Sequence, residues 1–300
     1  MGKFDGRVVA VTGAGGGIGR EHALRFAAEG AQVVVNDLGS TRNGAGADGS
    51  AAQTVVDEIV AAGGTAVANT SSVSSWEGAR SIVTDAVEAF GDLHVVVNNA
   101  GFVRDKTIVG MSEEDFDSVV AVHLKGTFAV THWAAAYWRD QAKAGSTASR
   151  RLVNTTSHSG LYGNPGQVNY ASAKMGIVGL TVVAARELER YHVRANVIAP
   201  LGRTRMTTGT QGFEDALAAP EDPDAYDRYH PGHNSSVAMF LATDESPFTG
   251  QVFEVLGGRV GLFGGPTVEH AIEAERFWTI EDLAAETKGW PVGPPSQPGL

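Results

Sequence analysis

A chain of 300 residues, 43% hydrophobic and 19% charged, has room for one large α/β domain or two small ones around a sizeable core. Its formal net charge of −11 disfavours nonspecific binding to nucleic acid or anionic membranes, and its lack of cysteine excludes a disulfide framework, a thiolate nucleophile and a cysteine-held metal. Residues 1–7 carry no signal-peptide core, and no uninterrupted apolar run approaches the roughly 20 residues of a membrane helix. The expectation is a cytoplasmic protein with no membrane and no nucleic-acid partner.

In chain order, the apolar run Val8–Val11 leads into Thr12-Gly13-Ala14-Gly15-Gly16-Gly17-Ile18-Gly19, and a helical segment follows at Arg20–Glu29. Glycines at such a turn let the backbone approach a pyrophosphate, while the free N–H groups and positive end of the next helix attract its charge. Any tight βα connection can use glycine, so the turn alone leaves a purely structural reading open. Further β-branched runs occur at Gln32–Val35, Thr65–Ala68, Leu93–Val97, Arg151–Thr155, Val193–Ile198 and Gln251–Val255. Apolar spacing of three and four places helices at Ala51–Ala62, Trp76–Phe90, Glu113–Trp138, Val168–Arg190 and Ser235–Ala242. This alternation of nearly continuous apolar strands with helices predicts a single doubly wound α/β (Rossmann) domain, a seven-stranded parallel sheet with helices on both faces.

Two segments break the alternation and are expected to be mobile loops near a ligand: the glycine-rich Gly39–Ser50 and the long Arg203–Gly232, which holds Phe213, Leu217, Tyr226 and Tyr229. Residues 1–256 form the predicted domain. Residues 257–300 read as an extension, with an acidic helical piece at Glu269–Phe277, aromatic residues Phe277, Trp278 and Trp290 suited to packing, and loose last residues. His230 and His233 lack a third ligand at suitable spacing, so no metal is expected.

Tyr170 and Lys174 stand four residues apart in NYASAK, which on a helix puts both on one face. A phenol titrates near 10, and a neighbouring ammonium favours its anion. Ser157 lies thirteen residues earlier, at the end of the fifth predicted strand, where doubly wound sheets face their ligand crevice. A hydroxyl there can hydrogen-bond a carbonyl oxygen while Tyr170 delivers a proton, which suits reduction of a ketone by a nicotinamide hydride.

With the TGxxxGxG turn, Asn98-Asn99-Ala100-Gly101 after the fourth strand, and Ser157, Tyr170 and Lys174 in this order, residues 5 to 256 resemble a short-chain dehydrogenase/reductase. That resemblance implies Tyr170 as general acid/base, Lys174 lowering its pKa and holding the nicotinamide ribose, and Ser157 orienting the carbonyl. It also implies a cofactor pocket built from Gly13, Gly17, Ile18, Gly19, Ser72, Val73, Asn99, Gly101, Tyr170, Lys174, Pro200 and Thr204. The family's relay asparagine is replaced by His123, which can hold a water or simply pack between helices. Asp37, ending the second strand, can accept from both ribose hydroxyls and repel a 2′-phosphate, which favours NAD over NADP.

Within the family the chain is similar to the (3R)-hydroxyacyl-CoA dehydrogenase module of peroxisomal multifunctional enzymes, a group also classed with 17β-hydroxysteroid dehydrogenases. The likeness rests on Val34–Gly39 with its insertion, Gly91-Asp92-Leu93, Tyr162–Gln167, Ile198-Ala199-Pro200 and His123. It implies an NAD-dependent oxidoreductase interconverting a secondary alcohol and a ketone, the small-molecule substrate being a 3-hydroxyacyl-CoA or a steroid. An NADPH-dependent 3-oxoacyl-acyl-carrier-protein reductase and a catalytically silent dinucleotide-binding or scaffold protein are the alternatives. His132, Trp133, Tyr137 and Trp138, with Ile177, Leu180, Val183 and Ala184, lie on the helices that relatives use for subunit contact, so a homodimer or homotetramer is expected.

Overall fold

The computed structural model describes residues 2–46, 48–207, 217–222 and 224–293. Phe213 and residues 294–300 of the expected loose tail lie outside them. Strands β1 (Val8–Thr12), β2 (Gln32–Asn36), β3 (Thr65–Asn69), β4 (Val95–Asn98), β5 (Arg150–Thr155), β6 (Val193–Leu201) and β7 (Val252–Leu256) pair in parallel, in the order β3-β2-β1-β4-β5-β6-β7. An eighth strand, β8 (Arg259–Phe263), pairs antiparallel with β7. The expectation of a purely parallel seven-stranded sheet ending at Val255 is thereby corrected. The missed strand follows a two-residue connection, Gly257-Gly258, in which Gly257 has φ +56, and its RVGLF lacks the continuous apolar signature because one face stays open.

Alternate side chains of each strand feed two opposite cores. Val9, Val11, Val33, Val35, Val95 and Val97 pack against α1 (Gly17–Ala28), α2 (Ser50–Ala61) and α8 (Gly232–Ala242). Val8, Ala10, Val34, Val96 and Leu152 pack against α3 (Trp76–Phe90), α5 (Gly126–Lys143) and α7 (Val168–Leu188). This two-sided burial is why the strands read as apolar runs and not as alternations.

The predicted helix Glu113–Trp138 is divided. α4 (Glu113–Val120) opens on a capping box from Ser112 and Asp115, a π-turn follows at Ala121–Lys125, and α5 continues to Lys143. Such a bulge inserts a residue into the helical ladder without breaking it, so apolar periodicity did not reveal it. A short helix, α6 (His158–Tyr162), also precedes α7. In the extension the helix lies at α9 (Ile280–Glu286), not at Glu269–Phe277, because Thr279 and Asp282 form a capping box there. Phe277 is 99% exposed, whereas Trp290 stacks on His270 at 5.5 Å.

The segment Val168–Tyr191 has the length and mean hydropathy, 1.3, of a membrane span, although polar residues interrupt its apolar run. Its buried side packs on β6, α4 and α6 and carries Tyr170 and Lys174. Trp138 and Ile177 are core residues, and Tyr137 donates its hydroxyl to Asp92 at 2.8 Å. Of the residues expected at a subunit contact, Val183 remains exposed, while Trp133 and His132 form a surface aromatic cluster with Trp76 and Phe128. His230 and His233 serve the loop before α8, the first accepting from the Gly232 amide and the second meeting the Asp227 carbonyl.

Candidate active site

Strand order reverses between β1 and β4, and the carboxyl ends of β1, β2 and β4 open there into a cleft. Of the expected cofactor residues, Gly13, Gly17, Ile18, Asp37, Ser72, Val73, Asn99, Gly101 and Thr204 line it. Gly19, Tyr170, Lys174 and Pro200 do not. Gly19 lies beneath the turn, where a side-chain carbon would fall 2.0 Å from the Gly13 carbonyl oxygen, and Pro200 is a residue of β6 paired with Val255. Gly13 itself has φ +64 and leaves no room for a side chain above Ala100. Asn99 shapes the turn as well as lining the cleft, donating to the carbonyls of Thr12 and Gly13 at 3.1 Å each. The glycines thus keep the backbone N–H groups bare for an anion at the start of α1, as a dinucleotide site requires.

Asp37 is held ready at the end of β2. Its carboxylate accepts from the Gly15 amide at 2.8 Å and the Gly39 amide at 2.7 Å, leaving its remaining lone pairs toward the cleft it lines. The insertion that follows folds down on the site. Thr41 and Ala45 close a turn, the Arg104 side chain donates to the Asn43 carbonyl, and Gly44 sits over the Phe102 ring. Ser40, Thr41, Arg42 and Gly44 line the cleft, and Arg42 donates to the Met206 carbonyl at 3.2 Å. The insertion therefore reaches from Asp37 to the segment after β6. Sequence reading had marked its place but could not foresee these contacts, nor the parts played by Ser71, Phe102, Val122 and Arg205, which also line the cleft.

At the end of β5, Ser157 caps α6, accepting from the Ser159 amide at 3.2 Å, and its hydroxyl meets that of Tyr170. Tyr170 sits with Phe102, Val103 and Val119 in an apolar group edged by Val122 and Met206, which joins it to the cleft. Lys174 lies one turn on, its ammonium donating to the Thr155 carbonyl at 2.8 Å and standing 5.5 Å from the centre of the Tyr170 ring. All three residues expected to carry chemistry come together.

Their charge states differ from the simple expectation of a lysine lowering a phenol. Burial pushes the Tyr170 phenol up to about 12, the Ser157 contact opposing and the Asp105 charge adding. Burial also pushes the Lys174 ammonium down to about 7. At neutral pH the phenol therefore keeps its proton and is poised as an acid.

His123, on the π-turn, is buried with its ring edge-on to Tyr170 at 5.0 Å. A side-chain carbon at Gly101 would fall 2.1 Å from its Cε1, so glycine is required there to admit the imidazole. The 2.7 Å contact of Nε2 with the Phe102 carbonyl oxygen places the proton on Nε2. The Phe102 amide, 3.2 Å from the same nitrogen, cannot donate to it in that tautomer. Nδ1 is then a bare acceptor with no partner among the described residues. Burial, then the Lys174 charge, pushes His123 down to about 3, so the ring is neutral.

A second chain of hydrogen bonds escaped sequence reading. Ser159 donates to Gln167 Oε1 at 2.8 Å, and Gln167 Nε2 donates to Asp105 at 3.0 Å. Asn169 pins the start of α7 by donating to the carbonyls of Arg104 and Asp115, each at 3.0 Å, and accepts from the Tyr170 amide. These amides were legible only as neighbours of Tyr170 within NPGQVNY.

A family profile described as short chain dehydrogenase matches residues 7–215. The chain is 44% identical over 299 residues to the hydroxyacyl-CoA dehydrogenase ChsB1 of Mycobacterium tuberculosis, covering 97% of this chain and 90% of that protein. It is 51% identical over 207 residues to the peroxisomal multifunctional enzyme type 2 of Drosophila melanogaster, covering 69% of this chain and 33% of that longer protein. The crystal structure of a short chain dehydrogenase from Mycobacterium avium superposes with a TM-score of 0.83 at 48% identity, covering 95% of this chain and 94% of the other. A glycine-lined cleft beside Ser157 and the buried Tyr170 and Lys174, together with these likenesses, places the chain in the short-chain dehydrogenase/reductase family of oxidoreductases.

Proposed function

We propose that the protein is an NAD-dependent dehydrogenase that interconverts a secondary alcohol and a ketone, with a 3-hydroxyacyl-CoA as substrate class. The observation that carries the reaction is the meeting of Ser157, Tyr170 and Lys174 beside the glycine-lined cleft. The substrate class is supported by the name of the mycobacterial relative and by the aligned module of the multifunctional enzyme. Steroid substrates are the second reading, since the long segment after β6 carries the buried Leu217 and brings the Tyr226 hydroxyl to the Gly258 amide of the β7–β8 turn.

The nicotinamide ring, when bound, supplies or accepts the hydride. The chain's residues do the rest. The amides of the glycine turn and the N-terminus of α1 hold the diphosphate, and Asp37 accepts from the adenosine ribose hydroxyls. Ser157 donates a hydrogen bond to the substrate carbonyl oxygen, and Tyr170 passes it a proton from Oη as the hydride arrives. Lys174, held by the Thr155 carbonyl, stands where its charge favours the phenolate left behind. His123 Nδ1 offers a bare acceptor beside Tyr170 that can hold a water but has no proton of its own to pass on. Gln167 and Ser159 steady the segment that carries Ser157. Replacing Gln167 by Leu is expected to lower kcat up to about tenfold, the worth of one positioning hydrogen bond. Dinucleotide titration of the same variant should show unchanged affinity.

The functional test is an assay of the purified protein with NAD and NADP against matched 3-hydroxyacyl-CoA esters and hydroxysteroids. NAD-linked oxidation of the acyl-CoA esters is the expected result, and NADPH-linked activity with acyl-carrier-protein esters would replace this reading with the reductase one. Asp37→Ala is expected to raise the ratio of NADP to NAD efficiency about tenfold or more, since a carboxylate that accepts from ribose hydroxyls also repels a 2′-phosphate. A variant ratio equal to the wild type's would remove Asp37 from cofactor choice. The groove between α5 and α7, lined by Phe128, His132, Ala135, Leu180 and Val183, supports association into a homodimer or homotetramer. The cysteine-free composition supports a reducing, cytoplasmic setting.

A further inference from the structure

The segment that follows β6 turns back over the glycine turn. A side-chain carbon at Gly17 would lie 3.1 Å from the Thr204 methyl, and one at Gly16 would lie 3.5 Å from a terminal guanidinium nitrogen of Arg205. Thr204, Arg205 and Met206 all line the cleft. The neighbouring Arg203 is committed elsewhere, paired with Asp227 and donating to the Leu217 carbonyl. Arg205 has no ion pair or hydrogen bond among the described residues, although 34 carboxylate side chains give the protein its net charge of −11. A cation with no carboxylate partner among the described residues, standing over the turn before α1, is placed to meet an anion entering between them.

The two ends of the dinucleotide are distinguishable here. Asp37, fixed by the Gly15 and Gly39 amides, marks the adenosine ribose, and Arg42 lies on the insertion beside it. Arg205 stands over Gly16, immediately before α1, where a diphosphate is received. We propose that Arg205 binds the diphosphate of the cofactor from the side opposite the glycine turn, so that residues 203–207 clasp the dinucleotide. The inference rests on the dinucleotide reading above, but not on the choice between NAD and NADP or on the substrate. Arg205 donates to the phosphate oxygens, and Thr204, which abuts Gly17, is drawn against the turn with it.

The test is calorimetric titration of the whole protein with ADP-ribose and with adenosine, which need no turnover. Arg205→Gln is expected to weaken ADP-ribose binding roughly tenfold, as for one charge-assisted hydrogen bond, and to lessen its salt dependence. Adenosine binding should be unchanged, and Arg205→Lys should retain most of the affinity. Equal ADP-ribose affinities for wild type and Arg205→Gln would overturn the assignment. So would a loss confined to NADPH, which would move the arginine to the 2′-phosphate. A wild-type protein that fails to bind ADP-ribose would bring down the dinucleotide reading itself, and this inference with it.

Discussion

Tyr170→Phe is expected to lower kcat for NADH-dependent ketone reduction by about three orders of magnitude, within the range that a positioned proton donor contributes. The substitution removes one oxygen and keeps the ring, so the contacts with Phe102, Val103, Val119 and the edge-on His123 persist. Asp37, the glycine turn and Arg205, proposed above to hold the adenosine and diphosphate, lie outside the apolar group around this hydroxyl. Dinucleotide affinity, measured by fluorescence titration, should therefore change by no more than about twofold, with the lost Ser157 contact costing about 1 kcal/mol of stability at most. Retained turnover would refute the proton-transfer role. Parallel loss of turnover and affinity would make Tyr170 a structural residue. Because burial pushes the phenol up to about 12, alcohol oxidation, which needs the phenolate, should accelerate as pH rises from neutrality. Ketone reduction, which needs the phenol, should not.

The strand, turn and helix order was readable because β1, β2 and β4 to β7 are buried on both faces and so announce themselves as apolar runs, the half-buried edge strand β3 being the exception. The same logic hid β8, whose outward Val260 and Leu262 sit half in solvent and whose pairing depends on a glycine hairpin rather than on burial. Ser157, Tyr170 and Lys174 could be named from spacing, since a strand end and one helical turn are local geometry. Their charge states could not, because burial among Phe102, Val103 and Val119 is a tertiary property that for Tyr170 outweighs the Ser157 hydrogen bond and for Lys174 disfavours the ammonium. His123 shows the same division. Its position in the chain was evident, but that Gly101 must lack a side chain to admit its ring follows only once the π-turn has brought them together. The insertion after β2 was legible as glycine-rich sequence and expected to be mobile. Its clasp on Asn43, Gly44 and Arg42 against Arg104, Phe102 and Met206 depends on loops from three separate strands.

Stability should fall steeply when pH is lowered from 7 toward 5, before carboxylates begin to titrate. His22 is fully buried between α1 and α8, its Nδ1 2.9 Å from the Ser235 hydroxyl and its Nε2 without a partner among the described residues. Burial, then the Arg25 charge, pushes it down to about 3, as burial and Lys174 do for His123. Both rings stay neutral in the fold, while in the unfolded chain each takes up a proton near 6.5. The unfolded state therefore binds more protons below that pH, and each histidine withdraws roughly 1.4 kcal/mol of stability per pH unit until its folded value is reached. Two such groups withdraw about 4 kcal/mol by pH 5, a large part of the 5–15 kcal/mol that usually holds a fold together. His94, pushed down to about 4 by burial against the opposing pull of Asp92, adds in the same direction. The carboxylates Asp92 and Asp244, held below their usual range, contribute stability that is lost only as pH falls through the lower carboxylate region, so their window lies beneath this one. Urea unfolding at successive pH values measures the slope, and His22→Gln isolates one group. That variant should be less stable at pH 7 but lose about 1.4 kcal/mol less per pH unit on acidification. A wild-type midpoint that does not move between pH 7 and 5 would mean that these rings are protonated in the fold, and with His123 charged beside Lys174 the neutral acceptor assigned to Nδ1 would not exist.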